Sequence, residues 1–186
     1  LGLGEAMDYS CVVKRIKLRK PWLFFTPYLS FAKKYCLSKE GDILSNPWPE
    51  LIIACGRKSI LPSLYVKEAS LGRTQLIYLQ NPKISTKHFD LVICPIHDNL
   101  SGNNVIKMVG APHQVTEEKL RESIPIFKDK FKTFKSPKLG VLIGGPNRVY
   151  SFNEEVALDI TNKLIKIQKQ GYSLIISPSR RTPEFA

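Results

Sequence analysis

The chain has 186 residues, 43% hydrophobic and 24% charged, which is enough apolar material for a packed core and too much for a disordered polymer. Its 28 Lys and Arg outnumber 16 Asp and Glu, for a net charge of +12. That balance points to an anionic partner such as a nucleotide, a lipid head group or nucleic acid, and carries no information about fold.

The first residues, LGLGEAM, read as part of a helix. Gly2 and Gly4 form a G-x-G, but Met7 stands where the dinucleotide fingerprint needs its third glycine, and no strand precedes it. CVVKRIKL (11–18) has the composition of a strand, and PYLSFAKKY (27–35) that of a helix. ELIIACG (50–56) is a short apolar run closed by glycine, the mark of a buried strand. A helix is expected over 59–70, ending near Gly72. Strands follow at 74–79, rich in β-formers, and at 89–94 and 105–109. Thr116 is placed to cap a short helix whose first turn carries Glu117 and Glu118.

SIPIFKDKFKTFKSPK (123–138) is basic and has a proline near each end, so it reads as a linker with a helical piece. The expected division is therefore a first domain over 1–122, a linker over 123–137 and a second domain from 138 to 186. Within the second, 139–143 is a strand. The segment 153–170 is the clearest helix: Ser151 or Asn153 caps it, Glu154 and Glu155 sit at the positive end of its dipole, Val156, Ile160, Leu164 and Ile167 form an apolar face, and Gly171 stops it. A strand at 172–177 completes a βαβ unit, hence a parallel pair with a right-handed crossover. The chain opens in what reads as mid-helix and closes just past this strand, so it is expected to be a segment of a longer protein.

Open α/β sheets bind ligands beyond the carboxyl ends of their strands. There the sequence places Gly56-Arg57, Gln80, His97-Asp98, Gly110, Gly144-Gly145-Pro146-Asn147-Arg148 and Ser179-Arg180-Arg181-Thr182. A Gly-Gly turn between strand and helix brings backbone N–H groups close to an anion, and Arg180 and Arg181 suit bidentate phosphate contacts. The competing reading is that loops are simply polar and glycine-rich. His97 and Asp98 have the chemistry of a base and its orienting carboxylate, or of an ordinary turn. Neither a G-x-S-x-G elbow nor a phosphate-binding P-loop is present.

In KRIKLRKPWLFFTPYLSFAKKY (14–35) basic residues flank Trp22, Phe24, Phe25, Tyr28 and Phe31. That composition fits the surface of an anionic membrane, single-stranded nucleic acid, or core aromatics with solvated lysines. Nucleic acid is the least favoured, since none of the usual modules is visible. No window approaches the roughly 18 apolar residues of a spanning helix, and no signal peptide is visible. Cys11, Cys36, Cys55 and Cys94 read as reduced, mostly buried thiols of a cytoplasmic protein, and the three histidines suggest no metal site.

GRKS followed by TQLIYLQNP, then FDLVICPIHDNLSGNNV, VGAPHQVTEEKL, VLIGGPNRVY and ISPSRRTP, together resemble the Elm-type mitochondrial fission family of plants and alphaproteobacteria. The resemblance runs from Leu1 to Pro183, and SPSRRTP and P-x-H-D-x-L-x-G-x-N-V are its most specific parts. It implies an α/β protein of glycosyltransferase B type, with two Rossmann-like domains, the first lacking its opening strand and the second truncated. It implies a nucleoside-diphosphate sugar as ligand, bound between the domains without a cofactor or metal. By position, Gly144, Gly145, Asn147, Ser179, Arg180, Arg181 and Thr182 match the second domain's strand-end motifs. Gly56, Arg57, Gln80, His97, Asp98 and Gly110 match those of the first. The alternative it implies is a non-catalytic adaptor that recruits a protein partner to a membrane, a dynamin-type GTPase in plant relatives. The implied location is cytoplasmic, peripheral to the inner membrane in a bacterium, or the outer mitochondrial surface in a eukaryote.

Overall fold

The structure, a computed structural model, describes residues 1–29, 31 and 33–185. The chain divides into two compact units, Leu1–Val115 and Thr116–Ala186.

In the first unit, the strands β1 (Leu51–Cys55), β2 (Gln75–Leu79), β3 (Leu91–Pro95) and β4 (Val105–Met108) form a parallel sheet in the order β1-β2-β3-β4. The register runs from Leu51 opposite Gln75 to Cys55 opposite Leu79, then Ile77 opposite Leu91, then Val92 opposite Val105. This is a Rossmann-like α/β arrangement, with every carboxyl end at the same edge.

Parallel neighbours need a crossover. Between β1 and β2 it is the helix Ile60–Ala69, whose Pro62 falls in the first turn, where no intrahelical N–H partner is required. This helix buries Ile60 and Leu64 against Ala54, Leu76, Tyr78, Phe89 and Val92. Each such aliphatic side chain contributes roughly 1.5–3 kcal/mol on burial. Asp90 ties the layers together: its Oδ2 accepts from the Leu76 amide at 2.7 Å and from Lys67 Nζ at 2.6 Å. Asn104 Nδ2 donates to the carbonyls of Thr86 and Phe89 at 2.8 Å each, which shapes the entry to β4. Burial pushes the Tyr78 hydroxyl up to about 12, with the neighbouring Cys55 adding to the shift.

The opening of this unit differs from expectation. A short helix, α1 (Gly2–Ala6), is present, but 11–18 is extended chain without a ladder. Among the described residues its only bridge pairs Leu18 with Leu37, supported by bonds from the Ser38 amide to the Lys17 carbonyl and from the Arg19 amide to the Cys36 carbonyl. β-composition yields a strand only where a partner edge lies alongside, and here none does over 11–14. Between Tyr9–Lys14 and the outer edge of β1 lies a cavity of about 780 Å³, also bordered by Ile43, Trp48 and Pro49. Among the described residues no backbone hydrogen bond joins 11–14 to β1.

The expected helix over 27–35 falls partly outside the described residues, at Ser30 and Ala32. Around it stand a one-turn helix, α2 (Trp22–Phe25), and a 3-10 turn at Lys33–Tyr35; the helix Ile60–Ala69 is α3. Leu18, Cys36 and Leu61 form a second buried cluster that anchors this arm on α3, with Ile16, Trp22, Leu23 and Leu37 packed around it. Burial pushes the Cys36 thiol up to about 11, so it stays protonated at neutral pH. Cys94 is buried as well, whereas Cys11 and Cys55 are exposed; both line the cavity beside β1. The expectation of mostly buried thiols therefore holds for two of the four.

The second unit begins with α4 (Glu117–Lys132), capped by Thr116, whose side chain accepts from the Lys119 amide at 3.2 Å. The helix expected to be short runs through most of the segment read as a linker. Pro125, the feature that argued against it, forfeits a bond to the Arg121 carbonyl and is accommodated inside the helix. Then β5 (Lys138–Ile143), α5 (Glu154–Lys169) and β6 (Ser173–Pro178) form the expected parallel βαβ unit, with Lys138 opposite Ser173 and Ile143 opposite Pro178. Asn153 is the cap, and its Oδ1 accepts from the Val156 amide at 3.0 Å. Gly171 takes φ 96° at the helix end, a conformation open to glycine at no steric cost. The inward face of α5 is set by Ala157, Ile160, Leu164 and Ile167, and Val156 turns outward.

Candidate functional site

In the second unit, the two loops singled out in the sequence leave the same edge of one sheet, because β5 and β6 are parallel and paired to their ends. They are also bonded to each other. The Ser179 amide donates to the Ile143 carbonyl at 2.9 Å. Thr182 Oγ1 lies 3.0 Å from both the Ile143 and Gly144 carbonyls, to which it donates, and accepts from the Ser179 amide at 2.8 Å. Ser179 Oγ lies 3.1 Å from Thr182 Oγ1 and accepts from the Arg181 amide at 3.2 Å. The turn Ser179–Thr182 is thus a hydroxyl-stitched clamp on the end of β5.

Gly145 lies under this clamp. A Cβ at that position would overlap the Arg181 carbonyl, whereas at Gly144 it would meet nothing within 4 Å. The double glycine is therefore two different positions, one demanded by close backbone approach and one open. With the backbone of Arg181 held down, the side chains of Arg180 and Arg181 are left outside. Both residues are exposed, and neither guanidinium has a hydrogen bond or ion pair among the described residues. Arg148 is exposed and likewise unpaired.

Asn147 has a different task from the one expected. Its Oδ1 accepts from the Val149 and Tyr150 amides at 2.7 and 2.8 Å, so its carbonyl builds the turn. Nor does the α5 N-terminus open onto Gly144-Gly145. Eight residues intervene in the sequence, Asn153 occupies the Val156 amide, and Glu154 and Glu155 supply the negative charge that the dipole favours. What the loops offer an anion is guanidinium charge on a rigid backbone.

In the first unit, Gly56, Gln80, His97-Asp98 and Gly110 follow β1, β2, β3 and β4, so all lie along the carboxyl edge of the sheet. Gly56 has φ 85° with open space around its Cα. Gln80 has φ 100°, a region that side-chain-bearing residues rarely enter, and its amide donates to the Ile93 carbonyl at 2.8 Å. Arg57 turns back to α2, donating from its guanidinium to the Leu23 carbonyl at 3.4 Å, while its own carbonyl accepts from Thr26 Oγ1 at 3.4 Å. His97 is exposed and Asp98 half-buried, and no hydrogen bond or ion pair joins their side chains. The Asp98 amide donates to the Pro95 carbonyl at 3.0 Å, and the Asp98 carbonyl accepts from the Leu100 amide at 2.7 Å, so the pair also forms a tight turn.

Two groups that the sequence reading passed over are the Ser179–Thr182 lock and the Asp90 and Asn104 brackets behind the first sheet. Ser-x-x-Thr is a spacing that hydroxyl-to-backbone turns use, so the lock was detectable. The brackets were not, since each joins segments far apart in sequence.

A profile of the family described as Mitochondrial fission ELM1 matches residues 1–186. The chain belongs to this family. Among relatives of the ELM1 family chain, an uncharacterized protein, RP120, of Rickettsia prowazekii is 28% identical, over 77% of this chain and 49% of that protein. The mitochondrial fission protein ELM1 of Arabidopsis thaliana is 24% identical, over 73% of this chain and 37% of that protein. The chain thus spans half or less of the length of these curated relatives. No solved structure matches this ELM1 family chain. Among the described residues, no helix is long and apolar enough to cross a membrane.

Proposed function

We propose that this ELM1 family chain is part of a glycosyltransferase B-like protein that binds a nucleoside-diphosphate sugar. In this reading the β5 and β6 loops hold the diphosphate. One observation carries the proposal. The Gly144-Gly145 turn is clamped by Ser179 and Thr182, and Arg180 and Arg181 project from that clamp unpaired. A pre-ordered backbone with two free guanidiniums is suited to bidentate contacts with phosphate oxygens, the ordering cost being confined to the two side chains. Gly56, Gln80, Gly110 and His97, along the carboxyl edge of the first sheet, are the first unit's candidate contribution, with His97 as the candidate base.

The test is calorimetric titration of the full-length protein with a panel of nucleoside diphosphates and their sugars. We expect binding, and we expect Arg180→Ala combined with Arg181→Ala to weaken it by about 3 kcal/mol or more, at roughly 1.5–3 kcal/mol for each charge-assisted contact. Absence of heat at millimolar ligand, with the protein folded, would overturn the proposal.

A second reading is favoured by His97 and Asp98, which sit side by side in the sequence without joining their side chains. Here the fold serves as an adaptor and the strand-end loops hold a protein partner at a membrane, which for the Arabidopsis relative accords with its name as a mitochondrial fission protein. Recovery of one stoichiometric protein partner by the wild type and its loss with the Arg180, Arg181 variant, together with silence towards nucleotides, would favour this alternative.

A further inference from the structure

The N-terminal arm leaves its aromatics in solvent. Phe24 is 60% exposed, Phe25 59%, Tyr28 72% and Phe31 64%. Their arrangement follows from how α2 is anchored. Leu23 and Trp22 pack against the Leu18, Cys36 and Leu61 cluster, so Phe24 and Phe25 are turned away from it. Trp22 Nε1 donates to the Phe31 carbonyl at 3.3 Å and the two rings lie 6.4 Å apart, which ties Phe31 to α2 while its own ring stays exposed. The Tyr28 amide donates to the Phe25 carbonyl at 2.9 Å, so Tyr28 follows directly on the α2 turn, and within the eight residues 24–31 all four of these rings are exposed. The core reading of these aromatics is thereby removed.

The charge around the patch has one sign. Residues 9–39 carry eight Lys and Arg and no Asp or Glu. Lys17 and Lys33 are matched by Glu40 and Glu68, but Arg19, Lys20 and Lys34 are exposed with no carboxylate partner among the described residues. Lys20 Nζ stands 5.8 Å over the Phe24 ring, so the cation and the aromatic face the same surroundings. Exposed apolar patches of this kind mark protein or membrane contacts. Cores of protein interfaces are depleted in lysine, whereas aromatics at head-group depth ringed by Lys and Arg are the composition of an anionic bilayer surface.

We infer that Phe24, Phe25, Tyr28 and Phe31, with Arg19, Lys20 and Lys34, form a docking surface for an anionic membrane. The rings enter the interfacial layer and the cations pair with lipid phosphates and carboxylates. The inference is independent of the nucleotide-sugar reading, because the patch lies outside the β5–β6 loops.

The test is co-sedimentation of the full-length protein with phosphatidylcholine vesicles, with and without phosphatidylserine, at about 0.15 M salt. We expect partitioning only onto the phosphatidylserine vesicles, falling as salt is raised. Arg19→Gln with Lys20→Gln should reduce it about twenty-five-fold, at roughly fivefold per cation. Phe24→Ser with Phe25→Ser should reduce it about tenfold or more. Both pairs of changes should leave the circular dichroism spectrum and the nucleotide titration unchanged. Equal binding to both vesicles, no binding to either, or binding indifferent to the two variants would overturn the inference. So would a change of oligomeric state in the phenylalanine variant, which would make the patch a subunit contact, or competition by oligothymidine, which would make it a nucleic-acid surface.

Discussion

At the scale of single residues, the two adjacent glycines after β5 are the sharpest case. They read alike in sequence, yet a methyl group at Gly145 would collide with the Arg181 carbonyl and one at Gly144 would meet open space. We expect Gly145→Ala to cost about 1–3 kcal/mol, as overpacking against a backbone atom does, and to dislodge the turn that carries Arg180 and Arg181. Gly144→Ala should stay within about 0.5 kcal/mol of the parent. Urea denaturation of both variants checks the pair, and equal effects would show that the two loops are not pressed together. The same scale explains why some site residues were legible and others were not. That Arg180 and Arg181 follow a strand is readable from the sequence, whereas the unpaired state of their guanidiniums is visible only in the structure. Asn147 and Thr182 were recognised as polar but not for their task, because a side chain that closes a turn and one that binds a ligand have the same name in sequence.

At the scale of elements, periodicity and capping located the strands and α5 to within a residue or two. Asn153, rather than Ser151, closes the first turn of α5. We expect Asn153→Ala to lower stability by about 1 kcal/mol, within the roughly 0.5–2 kcal/mol range of lost caps, measured by urea titration of the second unit's transition. A negligible change would mean that water replaces the cap. Where an element's existence depends on neighbours, local reading went astray. The segment 11–18 has strand composition but no partner edge beside most of it, so it stays extended and unladdered. In α4 the opposite occurred. Pro125 and a run of lysines suggested a linker, but the Thr116 cap, Glu117, Glu118 and the i,i+4 pair of Glu117 with Arg121 support a helix that absorbs the proline.

At the scale of the whole molecule, the two units differ in how much they bury. Among the described residues, the first holds two hydrophobic clusters and thirteen of the fourteen buried hydrophobic residues, while the second contributes Ala157 alone. Hydrophobic stabilisation scales with the area removed from water. In calorimetry of these 186 residues we therefore expect the second unit to melt first and with the smaller enthalpy, and a single transition for the whole would contradict this. By itself the sequence determined the alternation of strands and helices, the basic charge, the family motifs and which residues follow each strand, because these depend on local periodicity and composition. Only the tertiary structure decided that the two loops of the second unit are stitched together, that β1 borders an open slot, that Cys55 and the N-terminal aromatics face solvent, and that His97 and Asp98 do not pair. Each of those outcomes turns on what lies alongside in space, and the contacts that stitch the two loops and border the slot join residues that the chain itself keeps far apart.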